Sequence, residues 1–120
     1  MGLLAHQVGD NHAAASQCQN ALQLTQQAGD RLNQGYALTN LGHALVALGR
    51  HGEAVTAPRQ ALDIRRQMGQ ENLAVESLAG LAQAYLAGGD QVQARACVED
   101  ILQYLTAHTL DGTDDPLRTL

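Results

Sequence analysis

The sequence contains no tryptophan and no phenylalanine, and aromatic residues make up only 2% of its 120 positions. A core must therefore be assembled from Leu, Ala, Val and Ile, and the abundance of Ala and Leu favours helix. No stretch approaches the roughly 20 apolar residues that span a bilayer, and the first residues lack the basic and apolar regions of a secretory signal, so the default compartment is the cytosol. Runs of basic residues are missing too. Seven basic residues against twelve acidic ones leave a net charge of −5. That balance offers no phosphate-tracking stripe and no aromatic platform for stacking bases, which argues against nucleic acid as a partner. The length suits one domain, or part of one.

What the sequence does have is periodicity. Glycine recurs at Gly9, Gly29, Gly49, Gly69 and Gly89, a ladder with a constant step of twenty. Asp10, Asp30 and Asp90 follow three of these glycines, the order expected of a C-terminal glycine cap followed by an acidic N-cap for the next helix. Each step is one helix and one tight turn, which places helices near 2–8, 11–28, 31–48, 51–68, 71–88 and 91–107. Alternate steps align more closely and double the period to forty: Met1, Leu41 and Leu81 correspond, as do Gly2, Gly42 and Ala82, and Ala14, Ala54 and Ala94. The repeating unit is therefore a helical hairpin. Leu38, Leu41, Leu45 and Leu48 form the buried stripe of its first helix, and short alanines let neighbouring helices approach closely. Cys18 and Cys97 lie two units apart, beyond disulfide reach, and read as small buried apolar residues.

The pattern Leu41, Gly42, Leu45, Gly49, Ala54, Ala61 and Leu62, repeated as Leu81, Ala82, Tyr85, Gly89, Ala94 and Leu102, resembles the tetratricopeptide repeat. The resemblance covers residues 1 to about 107. It implies an all-α fold, a right-handed superhelical stack of antiparallel hairpins with about six helices, in units near 1–28, 31–68 and 71–107. The family's usual unit has 34 residues, so these longer units are more similar to those of kinesin light chains, of G-protein modulators acting at the spindle, and of helical arrays that follow ATPase modules in bacterial regulators. The wording from Gly29 to Gly42 looks most like the last of these.

The chain departs from the pattern in three places. It opens inside what should be the first helix of a unit, as a piece of a larger regulatory protein would. After Thr109 the ladder stops, and residues 108–120 read as a loop and tail, with Leu110, Leu117 and Leu120 available to fold back as a partial cap. Pro58 stands inside a helix where the family has a bulky side chain; there it removes a backbone hydrogen bond and opposes the Ala54 carbonyl, which is best tolerated as a kink on the outer layer.

By the resemblance, the first helices of the units line a concave groove for a peptide or partner domain. Carried over position by position, that groove holds Leu3, His6 and Gln7, then Tyr36, Thr39, Asn40, His43 and Ala47, then Glu76, Ala79, Gly80, Gln83 and Ala87. Asn40 matches the asparagine that holds a bound peptide's backbone in related long-repeat families, a role suited to an amide that both donates and accepts; its equivalent in the third unit is Gly80. The groove has no lysines or arginines for clamping a carboxylate. Arg59, Arg65 and Arg66 fall on the second helix of the central unit, where a solvated outer face is expected.

His6, His12, His43, His51 and His108 show no zinc spacing, and no cofactor or metal is implied. A nucleophile with a partnered base, a carboxylate pair in a pocket and a phosphate loop are all missing. The reading is a non-enzymatic protein–protein interaction scaffold. The alternative is a structural element that self-associates, as a homodimer, through its uncapped ends or a swapped hairpin.

Overall fold

In the computed structural model, the backbone is described for residues 2–119 and the side chains for residues 10–107. Five helices follow one another: α1 (Gly2–Ala28), α2 (Arg31–Ala47), α3 (His51–Gln67), α4 (Glu71–Ala87) and α5 (Gln91–Thr119). The described residues contain no strand.

Four rungs of the glycine ladder are the turns. Gly29, Gly49, Gly69 and Gly89 have φ of +69°, +76°, +73° and +84°, the left-handed region where a Cβ is penalised. Each turn carries the same pair of backbone bonds, such as Gly49 N–H to the Val46 carbonyl at 3.0 Å and Arg50 N–H to the Leu45 carbonyl at 2.9 Å. These bonds satisfy carbonyls that the helix end would otherwise leave open. Asp30 then caps α2 by accepting from the Asn33 amide, and Asp90 accepts from that of Gln93. Arg50 and Gln70 occupy the same place without a side-chain cap.

The two ends differ from the regular ladder. Gly9 lies inside α1, so the segment expected to be a separate first helix is continuous with the second. At the other end α5 runs on to Thr119 instead of giving way to a loop. The next rung would fall at residue 109, where threonine replaces glycine, and a left-handed stop there is costly. The fold-back of Leu110, Leu117 and Leu120 concerns side chains outside the described residues.

Each helix packs on the next, and α2 also meets α4, whereas α1 and α3, or α3 and α5, make no close backbone approach among the described residues. The stack therefore curves toward the side carrying α2 and α4. Its interior is mostly leucine and alanine. Leu38, Leu41 and Leu45 of α2 pack with Ala54, Ala57 and Ala61 of α3, and Leu62 packs with Leu78 and Leu81 of α4 and Cys97 of α5.

Pro58 corrects the expectation of an outer-layer kink. It is fully buried within an unbroken α3, between α2 and α4. A Cβ on Gly42 would lie 3.0 Å from its Cδ, and one on Gly80 would lie 3.7 Å from its Cβ. Two glycines on flanking helices thus make the room that the ring fills.

These distances separate two substitutions. Gly80→Ala gains helix propensity at ordinary contact distance and should raise the melting temperature by several degrees, corresponding to about 1 kcal/mol. Gly42→Ala presses on a rigid ring, and overpacking of about 1–3 kcal/mol should cancel or reverse that gain. Thermal melts followed by circular dichroism should rank Gly80→Ala above wild type and Gly42→Ala at or below it.

Candidate functional site

The groove face is built on α2 and α4, whose contact brings two exposed rows side by side. On α2, Tyr36, Asn40, His43 and Ala47 are exposed at helical spacing; on α4, Glu76, Ala79, Gln83 and Ala87 are. Tyr36, Asn40, His43, Glu76 and Gln83 therefore stand on the surface. Thr39 does not. It is only 3% exposed, and its hydroxyl donates to the Gly35 carbonyl at 2.9 Å. The reason is that α2 is covered by α1, α3 and α4, which leaves it a narrow open strip. Gly80 is buried too, against Pro58, so it is a packing position and not a gap in a row of asparagines. Leu3, His6 and Gln7 have side chains outside the described residues.

Beneath the groove lies a group that the sequence placed in solvent. Arg65 is 1% exposed. From α3 it reaches to α4, where its Nη1 donates to the Leu73 carbonyl at 3.0 Å and to the Ser77 hydroxyl at 2.9 Å, with Glu76 Oε1 at 3.7 Å. On the α2 side the Tyr36 ring covers the guanidinium, 5.0 Å from ring centre to Cζ. A Cβ at Gly35 would sit 3.2 Å from Nε. The Nε and Nη2 groups are buried without a hydrogen-bond partner, and the π face of Tyr36 supplies part of the compensation that polar atoms do not. Arg59 and Arg66 are exposed, as expected; Arg59 reaches the Tyr85 hydroxyl.

A sequence profile described as tetratricopeptide repeat matches residues 1–67. The chain belongs to the tetratricopeptide repeat family. Repeats of this family generally mediate protein–protein interaction and are typically non-catalytic. No curated protein and no solved structure matches the chain.

Two further features bear on what this tetratricopeptide array can bind. Across α1, α2 and α3, on the side away from the groove, an open cleft of about 370 Å³ has an apolar floor of Leu22, Leu38, Leu41 and Leu45 under a rim of Gln19, Glu53, Thr56 and Gln60. The sequence reading missed it, because it arises where α1 and α3 stand apart and not from any residue pattern. Cys18 and Cys97 are both free, and burial raises both thiol pKa values, with Asp100 adding to the effect at Cys97. Among the described residues no three His, Cys, Asp or Glu side chains gather as metal ligands, and no helix is long and apolar enough to cross a membrane.

Position 65 was legible in principle. It follows Ala54, Pro58 and Ala61 at spacings of four, three and four, on the buried stripe of α3, and a long amphipathic side chain can occupy such a place. Two replacements test what the arginine contributes. Arg65→Ala leaves a cavity and should cost about 3–5 kcal/mol. Arg65→Met keeps most of the volume and lets the Ser77 hydroxyl turn back to its own helix, so it should lose about 1 kcal/mol or less. Urea denaturation midpoints distinguish them; equal losses would mean that charge, and not volume, is what the joint needs.

Proposed function

We propose that the α2/α4 face receives an extended segment of another protein. The observation that carries this reading is the pair of open rows, Tyr36, Asn40 and His43 beside Glu76 and Gln83, lying along one curved face. Amide, imidazole and phenol groups interleaved with exposed alanines suit recognition of a peptide backbone, because amides donate and accept together and short side chains admit the main chain closely. Tyr36 is the anchor. It is 40% exposed, its ring is held from below by the buried Arg65 guanidinium, and a rigid aromatic side chain loses little entropy on binding. Asn40 is the residue that hydrogen-bonds the bound backbone. Thr39 has no part in this reading, since its hydroxyl is committed to Gly35.

The test is a peptide selected from a random displayed library against the intact chain, with affinity then measured by calorimetry. Tyr36→Ala and Asn40→Ala should each weaken binding by roughly tenfold or more. Gln19→Ala and Gln60→Ala, on the rim of the opposite cleft, should leave it unchanged. A selected peptide whose affinity follows the second pair and ignores the first would move the binding site to the other side of the array.

A further inference from the structure

The cleft between the middle of α1 and α2 is open, and what would fill it can be read from the next unit. It is an open cavity of about 380 Å³, and Ala14 and Cys18 of α1 line it together with Asn40 and Ala44 of α2. Forty residues later the same positions are Ala54, Pro58, Gly80 and Ala84, and all four are buried. The α2 helix lies over that later place, with a Cβ on Gly42 falling 3.0 Å from the Pro58 ring and 3.7 Å from the Ala54 carbonyl. In the first unit the equivalent surface is open: Ala14 and Cys18 are only partly buried and Asn40 is exposed.

The segment that repeats the covering part of α2 is residues 2–8, since Gly2 corresponds to Gly42 and Gly9 to Gly49. To cover its own cleft, that segment must turn at Gly9. It does not, because α1 is one helix from Gly2 to Ala28, whereas the four other glycines of the ladder all turn. A covering segment continuous with the helix that carries its seat, instead of turned back onto it, is the open form of an exchanged element.

We propose that two copies of this chain exchange residues 2–8, each filling the other's cleft between α1 and α2. The hairpin register supports closure. Gly42 opposes Pro58 in the interior hairpin, so residue 2 opposes residue 18, and the midpoint of that pairing is residue 10. A two-fold axis passing beside residue 10 lays the two α1 helices antiparallel, with Gly2 of each copy against Cys18 of the other. Both seats are then filled by the contact that α2 makes with α3 one unit later. The assembly is closed at two copies and continues a packing interface already present in the fold. The exchanged segment lies over Asn40, as Gly80 is covered one unit later, and reaches His43 at the edge of the cleft, so in the exchanged dimer Tyr36, Glu76 and Gln83 are the open part of the groove face.

The exchange is tested by cross-linking, and it differs from the groove reading at Asn40: a peptide that needs Asn40 should be bound by the monomer only, and loss of affinity on Asn40→Ala in an intact dimer would overturn the exchange. Cys18 is a free thiol at the seat, and Gly2→Cys places a second thiol opposite it, at a separation a disulfide can bridge. Oxidation of this variant should give a covalent dimer on a non-reducing gel, lost when Cys18→Ser is added. Light scattering on the unaltered chain should give twice 12.7 kDa. Asn11→Pro should give a monomer, because proline breaks a continuous α1 yet suits the first turn of a separate helix after a turn at Gly9. An internal disulfide in a monomeric Gly2→Cys chain would overturn the proposal by putting the segment in its own cleft. Failure to form any Cys18 disulfide, or a dimer that persists unchanged in Asn11→Pro, would also overturn it.

Discussion

The array is organised around a positive charge that has nowhere to go. Arg65 is held inside the joint of three helices, with one guanidinium nitrogen bonded to α4 and the other two without hydrogen-bond partners. Burying a cation is expensive unless its surroundings answer it, and here they do so from both sides: a carbonyl, a hydroxyl and the nearby Glu76 carboxylate on α4, and an aromatic face on α2. The side chain that spans the joint thereby links α4 to the underside of Tyr36 on α2, the two helices that carry the exposed rows. Gly35 is small because the Arg65 side chain passes beside it. Tyr36 serves the fold with one face of its ring and remains exposed on the other.

The turns were the most legible part of the sequence, because the left-handed backbone is a demand that glycine meets far better than other residues, and four rungs of the ladder carry it. Helix type was legible for a related reason: Leu and Ala at spacings of three and four have no competing strand pattern. Orientation around each helix was less so. Thr39 is one residue from a groove position in every simple wheel, yet the contact between α2 and α4 turns it inward. Pro58 and Arg65 were misplaced together for one cause. Both are residue types that ordinarily shun interiors; their spacing put them on the buried stripe of α3, but the room made for them by Gly42, Gly80 and Gly35 on other helices is visible only after the chain has folded.

Gly9 shows that a repeated residue does not guarantee a repeated structure. Its four equivalents are left-handed turns, whereas Gly9 stays within α1. The far end has a matching irregularity. Val98, Leu102 and Leu105 of α5 stand where Pro58, Leu62 and Arg65 stand in α3, but among the described residues no helix other than α4 packs on α5, and they remain exposed. The same register therefore yields interior in one unit and surface in the next, and what decides is the presence of a neighbour.

The uniform turns also set how the array can deform. Each connection between the helix ends is so short, and so fully hydrogen-bonded, that no slack is available for one hairpin to swing freely on the next. The packed joints are tied as well: Pro58 sits between Gly42 and Gly80, and Arg65 reaches from α3 to α4 beneath Tyr36 of α2. The three central helices are thus pinned at two separate points, and a joint pinned twice cannot pivot about either one.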